Sequence, residues 1–349
     1  MLSLPINAAE LAFLVPLASV AFLILRPLLH YLLDPLDLRK YSSPSFLAAT
    51  THFWVLKETW LQRRSRSIHR QHERLGDVIR IAPSLIIFNI PEAVPDIYGH
   101  AAARKLAKDP FYDKIAGEER DIVNVIDHGD HSQRRKYLSN SFALKTVEDM
   151  EPVIRQNFQK LLAYLDEIAT QNTTSQILDI RRWFNYFTLD VIGDMAFGLP
   201  MGFLAGRCDT TRVKSPRLEN GSPDRPQQDF MNKILKDREG KSRGLSFERL
   251  LSESIVFMNA GSETTAAALS NTLYFLLSNP KCFEKLRAEI DARLGPNHVD
   301  IVPYDSSKDL PYLKACIDES LRLRPPIAYA LQRLVVCPQG AIIAGHHIK

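Results

Sequence analysis

An acidic residue and three hydroxyl residues interrupt a long apolar segment at residues 257–269, FMNAGSETTAAAL. Gly261 costs a helix about 1 kcal/mol relative to alanine, and the adjacent Thr264 and Thr265 lose side-chain freedom there. A carboxylate beside hydroxyls can pass protons between solvent and an apolar pocket. The pattern predicts a polar site on a helix, with Glu263 and Thr264 as its proton-handling groups. A glycine kept for close helix packing, flanked by surface polar residues, explains the same segment equally well.

A glutamate and an arginine three residues apart form a second candidate, in ESLR at 319–322. Glu319 and Arg322 share a helix face and can form a salt bridge. Such pairs are common on solvated helix surfaces, where they contribute little stability. Because leucines and the Pro325–Pro326 stop surround this pair, we expect it at the buried end of its helix, where arginine can also hold a neighbouring loop.

A histidine and an arginine one helical turn apart form a third candidate, in HSQRR at 131–135. His131 and Arg135 lie on one helix face, where they can together hold an anionic group. A solvated basic helix face accounts for the same two residues.

Several common chemistries have no motif in the sequence. There is no GxSxG, GxGxxG, P-loop or HExxH. The four cysteines show no paired spacing, which argues against a zinc module or a disulfide scaffold and indicates a reducing compartment. We therefore predict no metal-ligating residues. A net charge of +4 over 349 residues also argues against a nucleic-acid partner.

Helical periodicity dominates the rest of the chain. Apolar residues recur at helical spacing in EPVIRQNFQKLLAYLDEIAT, and a long helix from Ser246 to Asn279 and Pro280 carries the polar interruption at its middle. DVIRIAP and LIIFNIP predict a β-hairpin, and the alternating last stretch predicts strands. The polar segment 206–228 has no apolar stripe and predicts a loop. We expect a mainly α fold with small β-sheets.

Residues 1–33 predict a single membrane-spanning helix. The run from Leu11 to Leu25 contains one serine and is otherwise apolar, and LLHYLL extends it to about the twenty residues that cross a bilayer. No basic residue precedes this run, whereas three follow it: Arg26, Arg39 and Lys40. Residues 34–349 are therefore expected on the cytosolic side as one domain. A cleaved signal peptide or a buried helix is the alternative.

In this order and at these intervals, HSQRR, AGSETT and ESLR resemble the motifs of the cytochrome P450 family, the haem-thiolate monooxygenases. GDVIRIAP and the predicted anchor add to the resemblance, which covers most of residues 35–349 and is nearest to the microsomal enzymes of fungal secondary metabolism. It implies a cytochrome P450-like helical domain, a haem (heme) cofactor, and oxidation or hydroxylation of a lipophilic small molecule with dioxygen. The implied location is the endoplasmic reticulum membrane, with NADPH-cytochrome P450 reductase as electron-donating partner.

The resemblance also implies roles for individual residues. AGSETT matches the family's oxygen-activation motif, and its implied catalytic residues are Thr264 and Glu263. The implied haem contacts are Ala260, Gly261, His131, Arg135 and Arg333. The implied structural pair is Glu319 with Arg322.

The sequence departs from the family pattern in two places. The family's axial cysteine lies in a glycine-rich loop well beyond the ExxR helix, and Cys337, in VVCPQG, lacks the flanking Phe, Gly and Arg. Cys282 and Cys316 are expected as helix core residues. Residues 206–228 replace the two helices that normally cover the substrate pocket. We therefore expect a truncated chain without its axial ligand, and hence inactive. The alternatives are a non-catalytic membrane-tethered remnant and an incomplete gene model.

Overall fold

The computed structural model is mainly helical, with three small antiparallel sheets, as the sequence predicts. It describes residues 8–139, 141–170, 177–198, 201–207, 230–236, 239–295, 301–329 and 331–349. Cys208 and nearly all of the predicted loop at 206–228 lie outside the described residues.

The chain divides into two compact units. The first comprises Met1–Asp109 and Tyr329–Lys349, and the second comprises Pro110–Ala328. The proposed division at residue 33, between anchor and domain, stays a prediction.

The first unit begins with a long apolar helix and continues with short helices. These are α1 (Ala8–Leu33), α2 (Phe46–Thr50), α3 (Phe53–Trp60), α4 (Arg64–Leu75), α5 (Ala93–Tyr98) and a 3-10 helix (His100–Arg104). Within α1, Pro16–Leu33 has a mean hydropathy of 1.6 and none of it is buried. Among the described helices, α1 alone is long and apolar enough to cross a membrane.

Three strand pairs complete the first unit. They join β1 (Val78–Ala82) to β2 (Leu85–Phe88), β3 (Leu106–Lys108) to β4 (Arg333–Val335), and β5 (Ala341–Ile343) to β6 (His346–Ile348). The predicted hairpin and the predicted C-terminal strands are therefore confirmed. Gly345 supplies the positive φ of 81° that the turn between β5 and β6 requires. The buried core of this unit comprises Leu38, Tyr41, Ala93, Ala102, Leu106, Ala341, Ile343 and Ile348.

The second unit is built from helices. These are α6 (Phe111–Lys114), α7 (His128–Leu138), α8 (Leu144–Glu148), α9 (Glu151–Thr170), α10 (Ile180–Phe197), α11 (Phe203–Gly206), α12 (Phe230–Leu235), α13 (Phe247–Ser278), α14 (Pro280–Leu294), α15 (Tyr304–Ser307) and α16 (Pro311–Leu323). Aromatic residues fill much of its core, and the largest buried cluster comprises Leu161, Trp183, Tyr186, Phe187, Phe203 and Leu204.

The long helix α13 runs through the second unit and carries the polar interruption. Its start at Ser246 is confirmed, since the Ser246 hydroxyl accepts a hydrogen bond from the Arg249 amide at 3.2 Å. The helix continues without a break through Gly261 and ends at Ser278, with Asn279 as its C-cap. It packs along α10 and also contacts α16.

Candidate functional site

The polar interruption of α13 places its residues at different depths. Ser262 is buried, Gly261 and Thr264 are half-buried, and Ala260 and Glu263 are exposed. The Thr264 hydroxyl donates to the Ala260 carbonyl at 2.6 Å, and the Ser262 hydroxyl donates to the Met258 carbonyl at 2.6 Å. Because the Thr264 hydroxyl proton is donated to the Ala260 carbonyl, the lone pairs of the hydroxyl oxygen can accept a hydrogen bond from another group.

Helix packing explains the glycine at position 261. A Cβ at this position would lie 2.9 Å from both Cδ1 and Cγ1 of Ile192 on α10, closer than carbon atoms can approach. The glycine thus lets α10 and α13 meet, as the packing interpretation of the sequence requires. It does not interrupt the helix, and its predicted place beside a haem stays a prediction.

The predicted anionic-group contacts on α7 occupy two environments. His131 is half-buried and Arg135 is exposed. The neighbouring Arg134, which no sequence motif singles out, is buried and only 3% exposed. Arg134 follows Asp130 by four residues. This spacing predicts a salt bridge, because an acid and an arginine one turn apart share a helix face.

Arg134 is the centre of a charge network in which Arg134 and Glu253 are buried and Asp130 and Glu119 are partly exposed. Its Nη1 donates to Glu253 Oε1 at 3.1 Å, its Nε to Asp130 Oδ1 at 3.1 Å, and its Nη2 to Glu119 Oε1 at 3.0 Å. It also donates to the Arg120 carbonyl. Because Glu253 lies in the second turn of α13 and is 1% exposed, this guanidinium fixes α7 against the start of the long helix.

The acids of this network have opposite pKa shifts. Burial raises the pKa of Glu253, and the hydrogen bonds from Arg134 and from the Ile122 amide only partly offset that increase. The hydrogen bond from Arg134 holds the pKa of Asp130 below its ordinary value, assisted by Arg249, whose Nη2 lies 2.6 Å from Asp130 Oδ1.

The ExxR residues form a bidentate salt bridge. Arg322 Nε lies 2.6 Å from Glu319 Oε2, and Arg322 Nη2 lies 2.7 Å from Glu319 Oε1. The expectation of a buried pair is wrong, because the two side chains are 54% and 68% exposed. The buried face of α16 instead carries Ser320, whose hydroxyl accepts a 3.1 Å hydrogen bond from Thr272 of α13.

Arg333, predicted beside the same anionic group as His131, belongs to the first unit. It is the first residue of β4, paired with Lys108, and its guanidinium lies 5.0 Å from the centre of the Tyr98 ring. In the structure, Arg333 therefore makes a cation–π contact with Tyr98.

Comparison with known proteins identifies the fold. The family model described as "Cytochrome P450" matches residues 48–217 and 210–349, which is nearly the whole chain. The chain belongs to the cytochrome P450 family. Members of this family hold a haem, so its implied cofactor is haem.

Curated cytochrome P450 relatives cover much of this chain. The chain is 29% identical to the cytochrome P450 monooxygenase tpeC of Talaromyces stipitatus, over 94% of this chain and 72% of the relative. It is 30% identical to prhB of Penicillium brasilianum, over 89% and 73%, and 27% identical to the trichothecene C-15 hydroxylase of Fusarium sporotrichioides, over 79% and 64%. The chain thus spans 64 to 73% of the length of these relatives.

The cysteines of this cytochrome P450 do not fit a haem-thiolate site in the described residues. Burial raises the pKa of the Cys316 thiol, which opposes formation of a thiolate, and Cys316 and Cys282 both contact the Tyr312 hydroxyl. Cys337 donates its thiol proton to Gln339 Oε1 at 3.0 Å, just after β4. Cys208 lies outside the described residues.

Proposed function

We propose that this protein is a membrane-anchored cytochrome P450-type monooxygenase by descent, whose substrates are lipophilic small molecules of fungal secondary metabolism. Its family membership and the names of its relatives support the reaction class. The apolar helix α1 supports a single-pass anchor, with the endoplasmic reticulum as the membrane and the folded units on the cytosolic side. Electrons are supplied by NADPH-cytochrome P450 reductase.

The observation that carries this proposal is the open face in the middle of α13. Ala260 is exposed there, Thr264 keeps free lone pairs, and the Glu263 carboxylate reaches solvent. We assign Thr264 and Glu263 to proton handling, because a hydroxyl next to a solvent-exposed acid can pass protons to a buried acceptor. Ala260 lies on this face, and Gly261 is assigned to the haem groove from the resemblance, beside its packing contact with Ile192 of α10.

Cationic residues complete the proposed site. Arg135 is exposed on α7 one turn after His131, which suits the two residues to bind a carboxylate group. Arg333 is assigned the same role from the resemblance. Glu319 and Arg322 are assigned a structural role from the resemblance alone.

For the 349-residue chain itself, we infer a non-catalytic role as a membrane-tethered protein of cytochrome P450 fold. The side-chain contacts of the described cysteines support this inference, because Cys282 and Cys316 contact Tyr312 and Cys337 contacts Gln339. The other alternative, an incomplete gene model, is tested by sequencing the transcript for a continuing frame with a Phe, Gly, Arg and Cys loop.

One spectrum tests the inferred inactivity. We expect membranes that contain the full chain to show no thiolate-type Soret band after reduction and addition of carbon monoxide. The Cys337→Ala variant is the matched control and should give the same spectrum. A thiolate band that disappears in this variant would overturn the inference and make Cys337 the ligand.

A second measurement tests the monooxygenase assignment. If the transcript encodes a longer product, we expect that product to give the thiolate band and, with reductase, to oxidise lipophilic compounds. Thr264→Ala should then lower the product formed per NADPH consumed while the band remains. A longer product that never gives the band would contradict the proposed function.

A further inference from the structure

Two cysteines of the second unit meet at one tyrosine, outside the proposed proton-handling face of α13. Cys282 lies in the first turn of α14 and Cys316 lies on α16, and both are free thiols. Each of them forms a hydrogen bond with the Tyr312 hydroxyl. We call Cys282, Cys316 and Tyr312 the thiol cluster. Because both sulfur atoms reach one oxygen atom, they lie no more than two hydrogen-bond lengths apart.

The two helices that carry the thiol cluster are joined beside it. The Glu289 carboxylate of α14 accepts hydrogen bonds from the amides of Tyr312 at 2.8 Å and of Leu313 at 2.9 Å. These amides belong to the first turn of α16, where backbone donors have no partner within the helix. The thiol cluster therefore lies at a helix contact that the fold itself maintains.

The two thiols differ in their exposure. The expectation of a core position is wrong for Cys282, which is exposed, whereas Cys316 is half-buried. Burial raises the pKa of the Cys316 thiol, and the nearby Cys282 and Glu289 add to that increase. An exposed thiol meets a dissolved oxidant first, and a protonated thiol beside it is available for a second step.

The Tyr312 hydroxyl is placed as a hydrogen-bond donor to the exposed thiol. The hydrogen bond with Cys282, assisted by burial, raises the pKa of the Tyr312 hydroxyl to about 12, so this group keeps its proton near neutral pH. A donor of this kind favours a thiolate over a thiol. The Lys285 ammonium, 4.3 Å from the centre of the Tyr312 ring, adds positive charge nearby.

We propose that Cys282 and Cys316 form a peroxide-responsive dithiol, in which a hydroperoxide oxidises Cys282 and Cys316 then closes a disulfide between α14 and α16. In the first step the Cys282 thiolate attacks the hydroperoxide, an S–O bond forms, the O–O bond breaks and an alcohol leaves. In the second step the Cys316 sulfur attacks the Cys282 sulfur, an S–S bond forms and the S–O bond breaks with loss of water. The hydroperoxide gains two electrons from the two thiols, and the two thiol protons end in the alcohol and the water.

The consequence is a reversible covalent link between two helices. Helix α16 also contacts the long helix α13, through the hydrogen bond between Thr272 and Ser320, so the link reaches the centre of the second unit. Reducing conditions such as those of the cytosol keep a dithiol open until an oxidant is present, and a dithiol reductant reopens the disulfide. This inference does not depend on the monooxygenase assignment.

Mass spectrometry of the full chain in detergent tests the proposal. The chain is reduced, freed of reductant and treated with hydrogen peroxide, and its remaining thiols are alkylated before digestion with trypsin. Trypsin releases Cys282 in the peptide CFEK and Cys316 in the peptide ACIDESLR, so a disulfide between them gives a linked pair of unique mass. We expect this pair to form with peroxide and to disappear after treatment with dithiothreitol.

Three variants separate the roles within the thiol cluster. Cys316→Ser should stop the reaction at a Cys282 sulfenic acid, which dimedone traps. Tyr312→Phe retains the ring and removes the hydroxyl, and we expect it to slow formation of the linked pair several-fold. Cys337→Ser is the matched control, because it removes a free thiol of the first unit, and it should react like the unmodified chain.

Four results would overturn the proposal. The first is a chain that gives no linked pair with peroxide. The second is a disulfide that joins Cys282 to Cys337 or to a second chain. The third is a Cys282 sulfenic acid that persists in the unmodified chain, which would mean that Cys316 does not reach it. The fourth is oxidation of Cys337 as fast as that of Cys282, which would mean that the thiol cluster has no reactivity of its own.

Discussion

Two glutamate–arginine pairs in the second unit show how differently the same chemistry behaves. Glu319 and Arg322 are three residues apart, form two short hydrogen bonds and remain largely exposed. Glu253 and Arg134 are 119 residues apart, form one 3.1 Å hydrogen bond and are almost fully buried. The exposed pair has the better local geometry, but the buried pair joins two helices.

The difference follows from solvation. Water screens the exposed pair and also solvates each charge when the pair is broken, so little free energy depends on it. At the buried pair, removal of Arg134 leaves the Glu253 carboxylate without solvent or counter-ion. The stability of this unit should therefore depend on the pair that has no sequence motif.

The largest predicted effect is at the buried pair. Arg134→Met leaves Glu253 buried without its partner, and we expect the free energy of unfolding to fall by about 3–5 kcal/mol. Urea denaturation of the full chain in detergent measures the loss. The control is Arg135→Met at the neighbouring exposed position, which should leave stability nearly unchanged. Equal losses in the two variants would contradict the contrast between the pairs.

A double variant sharpens this result. Replacement of both partners, Arg134→Met with Glu253→Leu, removes the uncompensated charge along with the pair, and we expect it to recover most of the stability lost in Arg134→Met. If the double variant is less stable than the single one, the cost comes from lost packing and not from the unpaired carboxylate.

The second largest effect is at the contact between α10 and α13. We expect Gly261→Val to lower the free energy of unfolding by about 1–3 kcal/mol, because the new side chain overlaps Ile192. Ala260→Val, one residue away and exposed, should have little effect in the same denaturation experiment. Ile192→Ala should restore stability to Gly261→Val. No rescue would mean that Gly261 is required for a reason other than this contact.

The acids around Arg134 predict opposite pH dependences. The pKa of Asp130 is lowered, so its contribution is complete above its ordinary value of 3.8 and is lost as pH falls through the lower folded value. The pKa of Glu253 is raised, so stability falls as pH rises from its ordinary value of 4.5 through the higher folded value. Asp130→Asn should therefore reduce the loss of stability at low pH. Glu253→Gln should remove the decline of stability above pH 4.5. Urea denaturation across this pH range measures both slopes; slope changes of the same sign would contradict the assignment.

The smallest effect is expected at the exposed pair. Glu319→Gln removes one charge of a solvated salt bridge, and we expect the unfolding midpoint in urea to match that of the unmodified chain. The unfolding midpoints of Glu319→Gln and the unmodified chain should also remain equal when salt is added, because water and ions already screen the pair. A loss comparable to that of Arg134→Met would mean that the pair is buried in the folded protein, as the sequence analysis expected.

Much of the architecture could be predicted from local sequence. The start of α13 at Ser246, the hairpin of β1 and β2, the apolar helix α1 and the Glu319–Arg322 salt bridge follow from capping, alternation, hydropathy and spacing. Each of these features depends on residues within a few positions of one another. Such patterns also carry the resemblance to cytochrome P450, which the family comparison confirms.

Tertiary structure decided which of these residues are buried and what they contact. Two adjacent arginines in HSQRR look alike in sequence, yet Arg134 enters the core to meet Glu253 and Arg135 remains at the surface. The reason for Gly261 is Ile192, on another helix. Burial and long-range pairing depend on how helices pack, and packing sums many weak contacts between distant segments, which no short pattern contains.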